Sequence, residues 1–524
     1  MKHALRLLVA SAIIGLTSLT PAQSKTLRWA YVGDVNSMDP YSLTESFSIA
    51  FLNHVYEGLV RYNEKLEIEP ALATSWKNTA ANVVRFTLRE GVKFHDGADF
   101  TADDVVISVN RAIHPDSPLR SNLTTVTGIA KVDDYTVDLT LTGPTPLIYN
   151  FLTNVVIFDK GWLETNDTVA PVDSTKGQES YATTHTNGTG PFVLESRRPD
   201  AKTVLVVNPA WWDTPKHNLT RIEFTPIASD ATRVAALLSG ELDFISPSPL
   251  QDAKRIAASP GVKVLEGPGL RTIFFGFNMR EKLNDTNLAS GNPFQDARVR
   301  NAFAKAINLP LLKKKIMRGK SRLAGLLVAP EVPGFDPARN EPVAHDPAGA
   351  KKLLADAGYA DGFSFAMNCP NDRYVNDEEI CQAVASMLSK VGLRANLTTE
   401  TKGQHFSKAR KNQTDVYMLG WATLPMLDTY SVLSAILHSP SDKLGTWNPG
   451  GYSNARVDEI TDLIANMVDE EKRRALMREA MGIVRDEMAA VPLHQQPLSW
   501  AVRDGVEMVQ SPDDKIRLWY TRKN

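Results

Sequence analysis

From residue 25 onward, stretches with the period-two alternation of a half-buried strand keep changing places with stretches of helical spacing. That interleaving restricts the chain to an α/β or α+β architecture. Leu27 to Val32 and Val83 to Arg89 read as strands. From Asp134 to Thr142, Tyr135, Val137, Leu139 and Leu141 alternate with polar residues, the pattern of one strand in an antiparallel set. Thr101 followed by Asp104 forms a capping box ahead of Val105, Val109 and Ile113, so a helix starts there. Asp230 to Ser239 is a second helix, stopped by Gly240, which tolerates the left-handed terminating conformation. Leu242 to Ile245 then reads as a buried strand. In the second half, helix signals at Asp296 to Asn308, Pro347 to Ala357 and Asn376 to Lys390 alternate with strands at Phe363 to Met367, Leu393 to Leu397 and Val416 to Leu419. The second half is the more regular α/β unit.

The amino terminus is of another kind. Lys2 and Arg6 precede an apolar run from Leu7 to Leu19 that ends near Ala22-Gln23-Ser24, the layout of a secretory signal peptide over residues 1–24. The run falls short of the roughly 20 apolar residues of a membrane-spanning helix, and no later run is longer. No cysteine lies near the cleavage point to accept a lipid, so the expectation is a soluble protein free in the periplasm. The net charge of −2 becomes −4 once Lys2 and Arg6 leave, which gives no basis for binding nucleic acid or an anionic membrane. With 43% hydrophobic residues and 9 tryptophans, the chain can bury a large core. Cys369 and Cys381 permit one disulfide in an oxidising compartment, or remain as two small buried thiols. Gly267-Pro268-Gly269 and Val491-Pro492 read either as two crossings between lobes or as surface turns.

The run Phe86-Thr87-Leu88-Arg89-Glu90-Gly91-Val92-Lys93-Phe94-His95-Asp96-Gly97, followed by Thr101-Ala102-Asp103-Asp104-Val105-Val106, resembles the signature of the extracytoplasmic solute-binding protein family 5. Tyr56-Glu57-Gly58-Leu59-Val60, Gly188-Thr189-Gly190-Pro191-Phe192, Leu238-Ser239-Gly240-Glu241-Leu242-Asp243, Val299-Arg300-Asn301-Ala302-Phe303 and Gly420-Trp421 agree with it in order. The resemblance implies a two-lobed periplasmic binding protein of Venus-flytrap type with an extra subdomain in the first lobe. Residues 25–268 then form the first lobe, with the extra subdomain roughly at 60–190, residues 269–490 the second lobe, and residues 491–524 a return segment. It further implies a monomeric receptor for a peptide or similar small polar solute, working with the transmembrane permease subunits of an ATP-binding-cassette importer. His95 and Asp96 belong to the fold signature and are not read as catalytic, since Asp-Gly suits a tight turn.

Trp421 stands where this family places a cleft tryptophan, a flat apolar wall with one N–H donor. Dipeptide-binding relatives carry an aspartate three residues later that receives the peptide's amino terminus, but this chain has Leu424. Asp428 serves either a displaced ammonium group or the cap of the following helix. Trp447 and Asn448, in a loop of turn formers, either line a pocket or pin a surface loop. His494 and Gln495 put polar side chains at the return crossing, and Arg271 offers a two-pronged contact to a carboxylate or a tie to a neighbouring carbonyl. No zinc helix, nucleophile elbow or phosphate loop is present, and no two of the ten histidines lie within four residues of each other. The sequence therefore calls for no catalytic residue, metal or cofactor. An opine, metal-chelate or haem carrier on the same fold, with His494 as a ligand, and a periplasmic hydrolase stay as alternatives.

Overall fold

The computed structural model describes residues 25–43 and 45–524. The expected signal peptide lies outside the described residues. Two long strands, Val262–Phe277 and Ala490–Arg503, run antiparallel beside each other and carry one sheet through both lobes. At one end Val262 to Pro268 faces Arg503 to Pro497, and Phe244–Ser246, Thr26–Tyr31, Arg221–Pro226, Lys202–Val207 and Phe192–Arg198 extend the sheet. At the other end Thr272 to Gly276 faces Gln495 to Ala490, and Val416–Trp421, Phe363–Pro370 and Leu393–Glu400 follow.

Both proline and glycine punctuation points lie inside these long strands. Pro268 stands opposite Pro497, so neither residue can donate to the ladder there. The register slips immediately after, between Pro268 and Thr272, and again between Ile273 and Phe274, beside Pro492. At Gly269 a Cβ would come within 2.9 Å of the Gln496 carbonyl oxygen, so only glycine allows the two strands this approach.

The first lobe packs around Trp29, whose ring lies 4.9 Å from Phe224, 5.7 Å from Phe47 and 5.8 Å from Phe51 between centroids. A second antiparallel sheet, in the order Ala73–Ala80, Val83–Leu88, Thr136–Leu141 and Val126–Asp133, forms the extra subdomain with helix Ala102–Ala112 against it. The capping box is present: the Thr101 backbone N–H donates to Asp104 Oδ2 at 2.7 Å. Helix Asp230–Ser239 ends at Gly240 with φ of 85°.

In the second lobe, Cys369 and Cys381 are joined in a disulfide that ties strand Phe363–Pro370 to helix Asp377–Ser389. The helix expected over Asp296 to Asn308 stops at Ala306. Asn308 then caps a further helix, Leu309–Lys315, by accepting from the Leu311 N–H. None of the described helices is long and apolar enough to cross a membrane.

Candidate functional site

In α/β sheets, ligands gather beyond the carboxyl ends of parallel strands, where loops meet exposed backbone ends. Here Tyr31 ends strand Thr26–Tyr31, Pro370 ends Phe363–Pro370, and Trp421 ends Val416–Trp421. The Gly420-Trp421 pair has a steric reason. A Cβ on residue 420 would meet Ile273 Cδ1 and Tyr374 Cε1 at 2.7 Å and Arg271 Cδ at 3.1 Å. The absent side chain lets Arg271 and Tyr374 close over the strand. The Gly420 N–H donates to the Tyr374 hydroxyl at 2.8 Å, and Arg271 Nη1 donates to the Gly420 carbonyl at 3.0 Å.

Two guanidinium groups thus approach one ring. The Cζ of Arg271 lies 5.9 Å, and that of Arg373 5.5 Å, from the Tyr374 centroid. Neither forms an ion pair among the described residues. Burial, reinforced by the like charge of Arg373, holds Arg271 below the ordinary arginine range.

The first lobe supplies the opposite charge. The Leu270 N–H donates to the Pro512 carbonyl at 3.0 Å, which brings Asp514 into the neighbourhood of Arg271. Asp514 Oδ1 accepts from Trp500 Nε1 at 3.0 Å. Its side chain is open to solvent although protein surrounds it, as on the wall of a cleft. Desolvation, aided by nearby Asp513, pushes its carboxyl up to about 6 against the opposing pull of Trp500 and Arg271. Tyr31 stacks on Phe47 with centroids 3.8 Å apart and feels the charges of both Asp514 and Arg373. Next in the chain, Lys515 donates to Asn154 Oδ1 at 3.2 Å, and burial lowers it to about 8. With Tyr62, Trp211 and Trp519 it lines an adjoining pocket in the first lobe.

Of the residues singled out in the sequence, Trp421 is half-buried, donates from Nε1 to Ser431 Oγ at 2.9 Å and lies 6.3 Å from the Trp447 ring. The Trp447 ring also carries the Arg410 guanidinium at 5.1 Å. Asn448 is buried and organises its own loop, donating to the His438 and Tyr452 carbonyls and accepting from the Gly451 and Tyr452 N–H groups. Asp428 is buried with both oxygens held by Arg473, at 2.6 and 2.9 Å, and it also accepts from the Tyr430 N–H at the start of the next helical turn. Gln495 donates to Thr272 Oγ1 and accepts from Arg322 Nε, both at 3.2 Å. His494 is buried, its Nε2 has no hydrogen-bond partner among the described residues, and burial lowers it to about 4.

Sequence reasoning passed over Tyr31, Arg373, Tyr374 and Asp514. The available signal was topological: Tyr31 ends a strand, and Arg373-Tyr374 fall in the turn after one. The loop beyond Trp421 is strained, with Thr423 at φ 45° and Leu427 at φ 48°. Such conformations cost on the order of 1–3 kcal/mol each and persist where surrounding contacts impose them. One of those contacts comes from strand Val60–Tyr62, whose Tyr62 hydroxyl donates to the Pro425 carbonyl at 3.0 Å.

The family model for bacterial extracellular solute-binding proteins, family 5 (middle), matches residues 67–443. The chain belongs to that family. Its members are extracellular solute-binding proteins. The chain is 27% identical over 498 residues to the glutathione-binding protein GsiB of Salmonella typhi, covering 93% of this chain and 91% of that one. Among solved structures, the periplasmic binding protein DppA of Helicobacter pylori in complex with the peptide STSA matches with a TM-score of 0.77 at 23% identity, over 95% of this chain and 98% of that one. HbpA2 of Haemophilus parasuis matches with a TM-score of 0.81 at 21% identity, over 95% and 100%. The two-lobed fold is common to these solute-binding proteins and this chain.

Proposed function

We propose that the chain is the periplasmic receptor of an ATP-binding-cassette importer, capturing a peptide or similar small polar solute between its lobes and presenting it to the permease subunits. The observation that carries this reading is the open charge between the lobes. Among the described residues the Arg271 and Arg373 side chains have no carboxylate partner, and Asp514, close enough to Arg271 for each to feel the other's charge, forms no ion pair. Charged groups that are left uncompensated inside a protein are costly, and a solute with complementary ends removes that cost. The relationship to GsiB and the peptide held by the Helicobacter pylori protein support the same class of cargo.

In this reading residues 25–268 and 491–524 build the first lobe and residues 269–490 the second. The lobes pivot where Pro268 meets Pro497, because the ladder is weakest there. Trp421 and Trp447 form an apolar wall of the cleft, and Arg271 supplies its charge. Native mass spectrometry of the gently purified protein, followed by calorimetry against glutathione, dipeptides, longer peptides and nickel chelates, tests the proposal. A retained peptide-like solute is the expected result. A protein that retains nothing and takes up none of the panel contradicts it.

A further inference from the structure

No acidic residue stands between Asp296 and Glu331, and the cations crowd toward the end of that stretch. Lys320 takes a carboxylate from Glu266 on the first crossing strand, and Arg322 takes one from Glu331 in a two-pronged contact at 2.9 Å. Lys313, Lys314, Lys315 and Arg318 find none. Among the described residues their side chains form no ion pair and no hydrogen bond, and all except the half-buried Lys313 are exposed.

The short helix Leu309–Lys315 sets how they are presented. Leu309 and Leu312 turn into the core of the second lobe, with Met317 just beyond them. Leu311, Lys314 and Lys315, at positions i, i+3 and i+4, share the other face. Leu311 is 41% exposed, so a large apolar side chain stands in solvent on the same face as two unpaired ammonium groups. Past the helix the chain turns through Arg318 at φ 52° and Gly319 at φ 84°, where the Gly319 N–H donates to the Lys313 carbonyl at 2.7 Å, and this adds a guanidinium next to the lysines. A helix carboxyl end favours cations. That accounts for lysines in the last turn but not for the bare leucine among them, and like charges so close together repel until something anionic covers them. The segment is also fixed in place, because Arg322–Leu323 pairs with Gln495 and His494 of the crossing strand.

We propose that this face is a contact for the anionic phospholipid surface of a bilayer. The lysine and arginine heads meet lipid phosphates, and Leu311 enters the boundary between headgroups and acyl chains, the division seen in helices that lie on membranes. The net charge of −2, or −4 without Lys2 and Arg6, is an average over the whole molecule. It keeps the remaining surface off an anionic membrane, so the contact is confined to this patch and is reversible. Such a contact concentrates a receptor at the surface that holds its permease subunits. It goes beyond the solute-capture reading and does not depend on what the cleft binds.

Flotation of the purified protein with protein-free vesicles tests it, comparing phosphatidylethanolamine–phosphatidylglycerol vesicles with phosphatidylcholine vesicles at low and high salt. The wild type is expected to float with the anionic vesicles at low salt and to leave them at high salt. Lys314→Gln, Lys315→Gln and Arg318→Gln combined are expected to weaken binding roughly a hundredfold, about fivefold for each cation near an anionic surface. Leu311→Ser is expected to cause a smaller loss that salt does not alter, since apolar burial is not screened. Lys77→Gln, Arg120→Gln and Arg478→Gln combined change the net charge equally at exposed cations elsewhere and are expected to change binding far less. Thermal unfolding verifies that each variant is folded. Equal losses in the two triple variants, equal binding to neutral vesicles, or a wild type that does not float with anionic vesicles at low salt overturns the proposal. Retention on native inner-membrane vesicles but not on protein-free vesicles of the same lipids also overturns it, giving the patch to a membrane protein instead.

Discussion

Asp39 and Arg111 inside the first lobe, and Asp514 and Arg271 in the proposed cleft, are the same two residue types treated in opposite ways. The first pair is fully buried and bidentate, at 2.8 and 2.6 Å, with the arginine also packed over Phe158. The second pair is held apart, each member tied to a neutral group of its own lobe. A closed pair fixes a fold, because each charge satisfies the other. An open pair stores unsatisfied charge that a solute can complete. The difference teaches where to look for recognition in such a chain: among the charges that the fold leaves unpaired.

The largest effect is expected on the closed side. Arg111→Met leaves Asp39 buried without its partner, and breaking such a pair costs about 3–5 kcal/mol. Urea unfolding measures it. A loss below about 1 kcal/mol, the range of exposed pairs, would erase the distinction between the two regions.

The second effect is on pH. His54 and His494 are both lowered to about 4, chiefly by burial. His54 is fixed as neutral, donating from Nδ1 to the Phe51 carbonyl and accepting from the Leu518 N–H at Nε2. Between pH 6.5 and 4 the unfolded chain binds more protons than the folded one at these two sites. Their contribution is therefore fully present above pH 6.5 and is lost as the pH falls toward 4, by up to about 3 kcal/mol per histidine. Denaturant midpoints at pH 7 and pH 5 follow this, and His494→Gln flattens the slope by removing one group. An unchanged slope in that variant places His494 in a more polar setting than its burial implies.

Smaller again is Trp421→Ala, expected to reduce solute affinity by about 2 kcal/mol and to cost less stability than the ~3–5 kcal/mol of a fully buried tryptophan. Unfolding and calorimetry on the one variant decide it. A large loss of stability with unchanged affinity moves this indole from the cleft wall to the core. The smallest effect is on the open side. Without solute, Arg271→Gln is expected to change stability by less than about 1 kcal/mol, since the substitution removes a charge that no carboxylate pairs among the described residues. A loss like that of Arg111→Met makes Arg271 a structural residue.

Much of the fold could be read ahead of the structure wherever a local rule had one solution. The capping box at Thr101 and Asp104, the Gly240 stop and the alternation ending in Val137, Leu139 and Leu141 all depend on residues within a few positions of each other. The two long crossing strands were visible only as punctuation, because proline and glycine signal turns more often than paired strands that slip past each other. The extra helix at Leu309–Lys315 was hidden behind the break at Ile307. The site was harder still. Arg271 and Trp421 could be named from their positions beside a crossing and a strand end. The role of Asp514 depends on the Leu270 and Pro512 contact, which joins positions some 240 residues apart. Asp428 and Asp514 look equally available in one dimension, and only the packing of Arg473 closes the first.

The central claim is that solute completes the cleft by drawing the lobes together, and small-angle scattering measures this most directly. The protein stripped of solute by partial unfolding and refolding should have the larger radius of gyration. Adding a mixture of free-ended peptides and glutathione should reduce it, as the Tyr62 and Pro425 contact forms between strand Val60–Tyr62 and the strained loop. An unchanged radius with binding confirmed by calorimetry contradicts the claim, placing the solute on a rigid surface instead of between two moving lobes.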